Sequence, residues 1–588
     1  MSTSYELSGA SERSRIVMAL APSAATITVG EALALLDGPF RAFAEGVSED
    51  RYALWLGSGI SFGRVDGLKE VVPRVIEFLR VQIAAGNPGC RFKAALDEAL
   101  ALAQLSAEEQ GRVDVTRPFA EWPDANAITG RLIGKYAHLL ETVVEGEAED
   151  FVLWNGVDIA STFADPAIEP DVEHLCIATL ILEGVSSDIA SANWDGLVEK
   201  AVDTLTGGQP ALVVCVRPED LREPQQRARL FKFHGCAIRA SADEATFRPY
   251  LIGRQSQIHG WVARQENAAM VQRLIDLIAT KPTLMMGLSA QDANIQAIFA
   301  EAEARMAWPW PGDRPSYVFS ENAIGVDQRG LLRNVYRAAY TPDTRQQILD
   351  SAVIRAYAKP LLVSLLLHML CSKLRRLIEL APGALGPADR QHLQTGVVAV
   401  RDRLAVAAEP DRMAFVRSLV DQSSRAVMMF RDGHAPAAPR PYNPISPIPI
   451  QQMAGDVMPA SGLREAAVAT GILGLGVHDG AWTLDVADVG DQTSGIVCVN
   501  SVAGSVKVFF AANSHAALRL QHHGHLVDGD EAIVIHSLET SPALPRSPRG
   551  APGRTGRLGL REVSITELMN EAVTSAELVQ RFREEVAL

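Results

Sequence analysis

The sequence predicts an α/β protein: a Rossmann-like parallel sheet with a helical insertion, followed by a helical region and a smaller strand-rich C-terminal domain. Three observations predict it. Short apolar runs such as "YALWLG", "ALVVCV" and "TLMMGLS" alternate with stretches whose apolar residues recur every three or four positions, the pattern of strands joined by helices. Residues 91–150 hold helical patterns and few strand signals. Beyond a proline-rich segment at 434–451 the text turns to short strands.

Residues 28–50 read as a helix leading into a strand at 52–57, then the turn "GSGIS", then the helix "GLKEVVPRVIEFLRVQIA". After the insertion come the strand-like "SSDIASAN", the helix "DGLVEKAVDTL", the strands "ALVVCV" and "ARLFKFHG", "TLMMGLS" with its helix, and a last strand, "PSYVFSEN". Residues 345–430 are almost wholly helical in pattern, and strands and a terminal amphipathic helix close the chain. The expected division is an N-terminal segment (1–44), a sheet domain (45–325, insertion at about 90–150), a helical region (326–432), a proline-rich linker (433–461) and a strand-rich α+β domain with a terminal helix (462–588). At 588 residues, two or three domains are the prior.

A 47% apolar and 21% charged composition is that of a soluble globular chain, and a net charge of −15 argues against a dominant nucleic-acid surface, so no direct nucleic-acid binding is expected. The six cysteines are scattered and none has zinc-knuckle spacing, which points to a reducing compartment and no structural zinc. The apolar run near the amino terminus is flanked by acidic and polar residues and matches a secretory signal poorly. "PLLVSLLLHMLCSKL" is too short to span a bilayer and reads as a buried helix, so no membrane role and a cytoplasmic location are expected. The basic, proline-rich stretch near Arg546–Arg557 reads as a solvated linker.

Four short segments carry chemistry. Gly57, Ser58, Gly59 and Ser61 in "LWLGSGIS" form either an ordinary tight turn or a backbone cradle for phosphate. In "SANWDGLVEKA", Asn193, Asp195 and Gly196 are turn formers that could cap a helix, or an amide and a carboxylate aimed at a ligand. His234 in "LFKFHGC" is a hydrogen-bonded structural residue or, in a pocket, a general base. Ser289 in "LMMGLSAQDANIQ" caps the helix that follows, with Asp292 favourable in its first turn, or serves a second phosphate together with Gly287.

Each segment ends a predicted strand, and such ends surround the ligand crevice of an open parallel sheet. Their order, "GSGIS", "NWDG", "FHG", "GLS", resembles the sirtuin family over roughly residues 45–325. The resemblance implies NAD+ as substrate, with Gly57, Ser58, Gly59, Ile60 and Ser61 around its pyrophosphate and Asn193 and Asp195 by the nicotinamide and its ribose. It implies His234 as catalytic base, Gly287 and Ser289 on phosphate, and Ser320 and Glu321 near the adenosine ribose. The chemistry suits these residue types: nicotinamide leaves neutral, so cleavage needs a fixed ribose, a stabilised oxocarbenium-like centre and a group to position or deprotonate the attacking oxygen.

The chain departs from protein-deacetylating sirtuins. It has no four-cysteine module, no Pro-Asp-Phe-Arg loop after the glycine motif, and Ala192 where a glutamine usually precedes the asparagine. These departures look like the sirtuin-like domains of bacterial antiphage defence proteins. That resemblance implies an NAD+ hydrolase giving nicotinamide and ADP-ribose, a homo-oligomer, and possible service with a HerA-type ATPase or short Argonaute. An NAD-dependent deacylase or ADP-ribosyltransferase, and a non-catalytic NAD-sensing module, are the alternatives.

Overall fold

Seven strands form the first sheet: β1 (Ala53–Leu56), β2 (Asp188–Ser191), β3 (Leu212–Cys215), β4 (Ala228–Lys232), β5 (Thr283–Met286), β6 (Tyr317–Ser320) and β7 (Val353–Ile354). The computed structural model describes residues 23–586 apart from 85, 88, 437–438, 455–461, 489–490, 492, 527–530 and 538–560. The amino-terminal apolar run and the Arg546–Arg557 stretch lie outside the described residues. The strand order is β3-β4-β2-β1-β5-β6-β7, and every pairing is parallel. Winding runs from β1 toward β2 on one side and from β5 toward β6 on the other, so the topological switch point, where such sheets bind ligands, lies between β1 and β5.

Alternation along β1 feeds both faces. Leu54 and Leu56 enter a core with the helices Val29–Asp37, Arg41–Ser48, Val172–Leu182 and Ala358–Glu379. Ala53 and Trp55 enter the opposite core with the helices Ala268–Thr280, Ala293–Arg305 and Val326–Tyr336. The insertion packs on the helix Leu68–Val81 in a third core that includes Val72, Ile76, Leu96, Leu132 and Val152.

The segment at 28–50 is two helices, because Gly38 and Pro39 interrupt the pattern. Residues 345–430 are almost wholly helical, as expected, and the exception is Val353 and Ile354, both β-branched, which pair with Phe319 and Ser320 as the edge strand of the main sheet. The apolar run after Pro360 is a buried helix, as expected, and no helix among the described residues is long and apolar enough to cross a membrane.

The second sheet joins β8 (Thr483–Val486), β9 (Val497–Ser501), β10 (Gly504–Ala511), β11 (Ala532–His536) and β12 (Arg561–Ser564) in the order β12-β11-β10-β9-β8. It is mixed, antiparallel from β8 to β10 and parallel from β10 to β12. The helix Leu463–His478 packs on the helix Pro387–Ala407 so closely that a Cβ on Gly474 would lie 3.0 Å from Gly396 Cα.

The proline-rich segment is anchored in the fold at several points, with Tyr442, Ser446 and Met453 buried. Tyr442 Oη and the Ile445 amide donate to Glu183 Oε1 at 2.6 and 2.9 Å, and Lys373 Nζ donates to Glu183 Oε2 at 2.6 Å. Both charged side chains are fully buried. Burial pulls the Lys373 ammonium below its usual range against the opposing pull of Glu183. Removing one partner of such a pair strands the other. Lys373→Met is expected to cost about 3–5 kcal/mol, read as a lower urea midpoint, and Glu183→Gln/Lys373→Met to recover part of the loss.

Candidate functional site

The pairings set the height of each motif. Leu56 pairs with Ser191 and with Met286, and Ser191 pairs with Lys232. Ser58, Asn193, His234 and Leu288 therefore each lie two residues past a common level, at the carboxyl ends of four neighbouring strands. The sequence reading placed four motifs in order along the chain; pairing brings them side by side.

The two glycine turns interlock. The Gly59 amide donates to Gly287 O at 3.1 Å, Gly287 has φ +62°, and a Cβ there would sit 2.6 Å from Gly59 Cα. Ser58 and Gly59 are exposed, while Ile60 and Ser61 are buried beneath them. The motif is a 3-10 turn over Ser58–Ser61, and the next helix starts at Leu68, where the sequence predicts it, so the glycines present a turn rather than an α-helix N-terminus. Gly63, at φ +78°, redirects the chain in between.

Asn193 is buried, and its amide has one orientation. Gly57 O can only accept, and it takes Nδ2 at 3.1 Å, which leaves Oδ1 without a protein partner among the described residues. Asp195 is committed on both oxygens, Oδ1 accepting from the Leu197 amide at 3.2 Å and Oδ2 from Ser61 Oγ at 2.9 Å. Gly196 has an ordinary φ of −106°, so the turn does not require glycine for its bend; a Cβ would lie 2.6 Å from Ile238 Cγ1.

His174 was missed, hidden in an apolar segment with no spacing signal. It is fully buried, its Nδ1 accepts from the Asp171 amide at 3.1 Å, and Nε2–H therefore faces Ser61 Oγ at 3.2 Å. Ser61 passes its own proton toward Asp195, so a chain of hydrogen bonds runs from the helix Val172–Leu182 to the "NWDG" turn. Burial pushes His174 down to about 4, outweighing the nearby Asp195 and Asp171.

His234 is 8% exposed. Its Nε2 lies 3.0 Å from Asp292 Oδ2, at an angle outside the hydrogen-bond range, and neither atom has another partner. Burial raises the Asp292 carboxyl, but His234 and the Asn294 and Ile295 amides outweigh it and hold it below the ordinary value. Asp292, not Ser289, caps the helix, through Oδ1 and the Asn294 amide at 2.7 Å; the helix starts at Ala293, and Ser289 is exposed one turn earlier. Gly287 stands in the interlocked turn. Ser320 is buried and donates to Ala356 O at 2.7 Å. Glu321 is half-buried, its carboxyl raised by burial against a Gln328 hydrogen bond.

A buried neutral histidine makes stability pH-dependent. The unfolded chain binds a proton on His174 between about 6.5 and about 4 that the folded chain refuses, so this group lowers stability as pH falls through that window. Glu173 next to it, raised to about 7 mainly by burial, acts with the opposite sign, gaining stability as pH falls. Subtracting the profile of His174→Gln from that of the wild type is expected to isolate the histidine: a difference that grows more unfavourable to the wild type from about pH 6.5 to about 4, read by thermal unfolding.

No curated protein matches the chain. Residues 187–338, which run from β2 to just past the helix Val326–Tyr336 and include Asn193, Asp195, His234, Gly287, Ser289 and Asp292, match the family model described as SIR2-like domain. The chain therefore carries a sirtuin-like domain, with the NAD-related function that such a domain implies.

Proposed function

We propose that the protein is an NAD+ glycohydrolase that releases nicotinamide and leaves ADP-ribose. The observation that carries this reading is the amide of Asn193: with Nδ2 held by Gly57 O, Oδ1 is free to accept from a water at the carboxyl end of the sheet. Glycine at 57, 59 and 287 lets the two turns meet backbone to backbone, which fixes the shape of the crevice floor at the switch point of the sheet. Exposed Ser58, Gly59 and Ser289 line the side from which phosphates would approach.

Asn193 orients the attacking oxygen, and His234, one strand over, accepts a proton from the water or from a ribose hydroxyl. Water adds to the ribose carbon as the bond to nicotinamide breaks; the electron pair goes to the nicotinamide ring, which leaves neutral, and the lost proton goes to the base. Asp195 acts behind Asn193, holding the turn to Ser61. Depletion of NAD+ in antiphage defence, a homo-oligomeric state and a separately encoded partner belong to the same proposal.

Purified protein incubated with NAD+ is expected to release nicotinamide, measured by chromatography, with Asn193→Ala and His234→Ala each slower by about 10²–10⁴-fold. Added acylated peptide is expected to leave the rate unchanged; acceleration would mark a deacylase or transferase. No turnover under any condition, with His234→Ala indistinguishable from wild type, sinks the reading.

A further inference from the structure

We propose that Asp292 is a positioning residue that holds His234 in its Nε2–H tautomer, so that Nδ1 is the basic nitrogen offered to the crevice. This rests on the reading of His234 as base given above. The two atoms that face each other at 3.0 Å, His234 Nε2 and Asp292 Oδ2, are both buried, and neither has another hydrogen-bond partner. A carboxylate can only accept, so the imidazole nitrogen opposite it carries the proton. Nδ1, on the other side of the ring, is neither hydrogen-bonded nor sealed among the described residues. Such pairs are commonly misaligned without substrate and tighten when it binds.

Asp292 is itself fixed. Its Oδ1 accepts from the Asn294 amide at the start of the helix Ala293–Arg305, which leaves only Oδ2 for the histidine. The helix end thus aims a carboxylate at the ring from the β5 side, while β4 supplies the ring. Tyr136 of the insertion also senses this carboxylate; burial and the Asp292 charge push its phenol up, so it stays protonated across the neutral range. Lys232, two residues before His234, is held charged by its neighbours Cys236, Glu199 and Asp195 despite full burial. Neither competes for the proton on the imidazole.

The cap makes Asp292→Asn a clean test. Asn caps helices about as well as Asp, so its oxygen stays on the Asn294 amide and its NH2 group replaces Oδ2 opposite the ring. That donor demands an acceptor at Nε2 and drives the proton to Nδ1, where it blocks the base, the fault that an Asp-to-Asn change creates in a serine-protease triad. With 15N-labelled histidine, two-bond 1H–15N spectra are expected to show His234 as Nε2–H in the wild type and Nδ1–H in Asp292→Asn. The kcat for nicotinamide release is expected to fall about 10²–10⁴-fold, with KM for NAD+ and the thermal midpoint unchanged. Asp292→Ser, which keeps a cap and removes the partner, is expected to give a mixture of tautomers. The same tautomer in wild type and Asp292→Asn overturns the proposal, as does a switched tautomer with undiminished kcat. Should the wild type release no nicotinamide, the reading of the site falls while the spectra still decide whether Asp292 sets the tautomer.

Discussion

The contact between two glycine turns, Gly57–Gly59 and Gly287, is the constraint on which the crevice depends. The backbones meet where β1 and β5 diverge, with a hydrogen bond from the Gly59 amide to Gly287 O and no room for a Cβ on either side. The orientation of the first turn decides where Gly57 O points, and that carbonyl decides which way the Asn193 amide faces. A chain of consequences therefore runs from a steric fact about glycine to the availability of one oxygen atom.

Behind this surface lies a layer of polar groups with no apparent use in catalysis until their partners are followed. Asp195 holds the "NWDG" turn, Ser61 holds Asp195, and His174 holds Ser61, each through a buried hydrogen bond. A buried polar group without a partner costs about 1–3 kcal/mol, so each member of this chain fixes the position of the next. On the β5 side Asp292 divides its two oxygens between a helix end and a histidine. The rear of the same body is closed by Glu183 and Lys373, which tie the helix before β2, the long apolar helix and the proline-rich segment at one buried point.

The alternation of strands and helices, the insertion and the four motifs were legible in the sequence because each rests on local periodicity or on turn-forming residues. The edge strand β7 was not, since two residues carry no period and only pairing with β6 makes them a strand. Composition marked residues 433–461 as a linker, yet Tyr442 and Ile445 are held by Glu183 far away in sequence, a contact that composition does not encode. The helix after the glycine motif begins at Leu68, one residue into the stretch whose periodicity predicts it, and Gly63 turns the chain between motif and helix.

By itself the sequence determined which residue types end which strands, and so the set Gly57, Asn193, His234 and Gly287, because strand ends follow from hydrophobic runs and turn chemistry. Only the tertiary structure decided where each one lies and what it touches. Parallel pairing set the four motifs at one height, Gly57 O oriented the Asn193 amide, and a helix cap placed Asp292 against His234. His174 shows the difference most plainly: in the chain it is one histidine within an apolar segment, and its partner Ser61 lies 113 positions away. Hydrogen bonds between such distant residues exist only once the sheet has closed the distance, and no local pattern can report them.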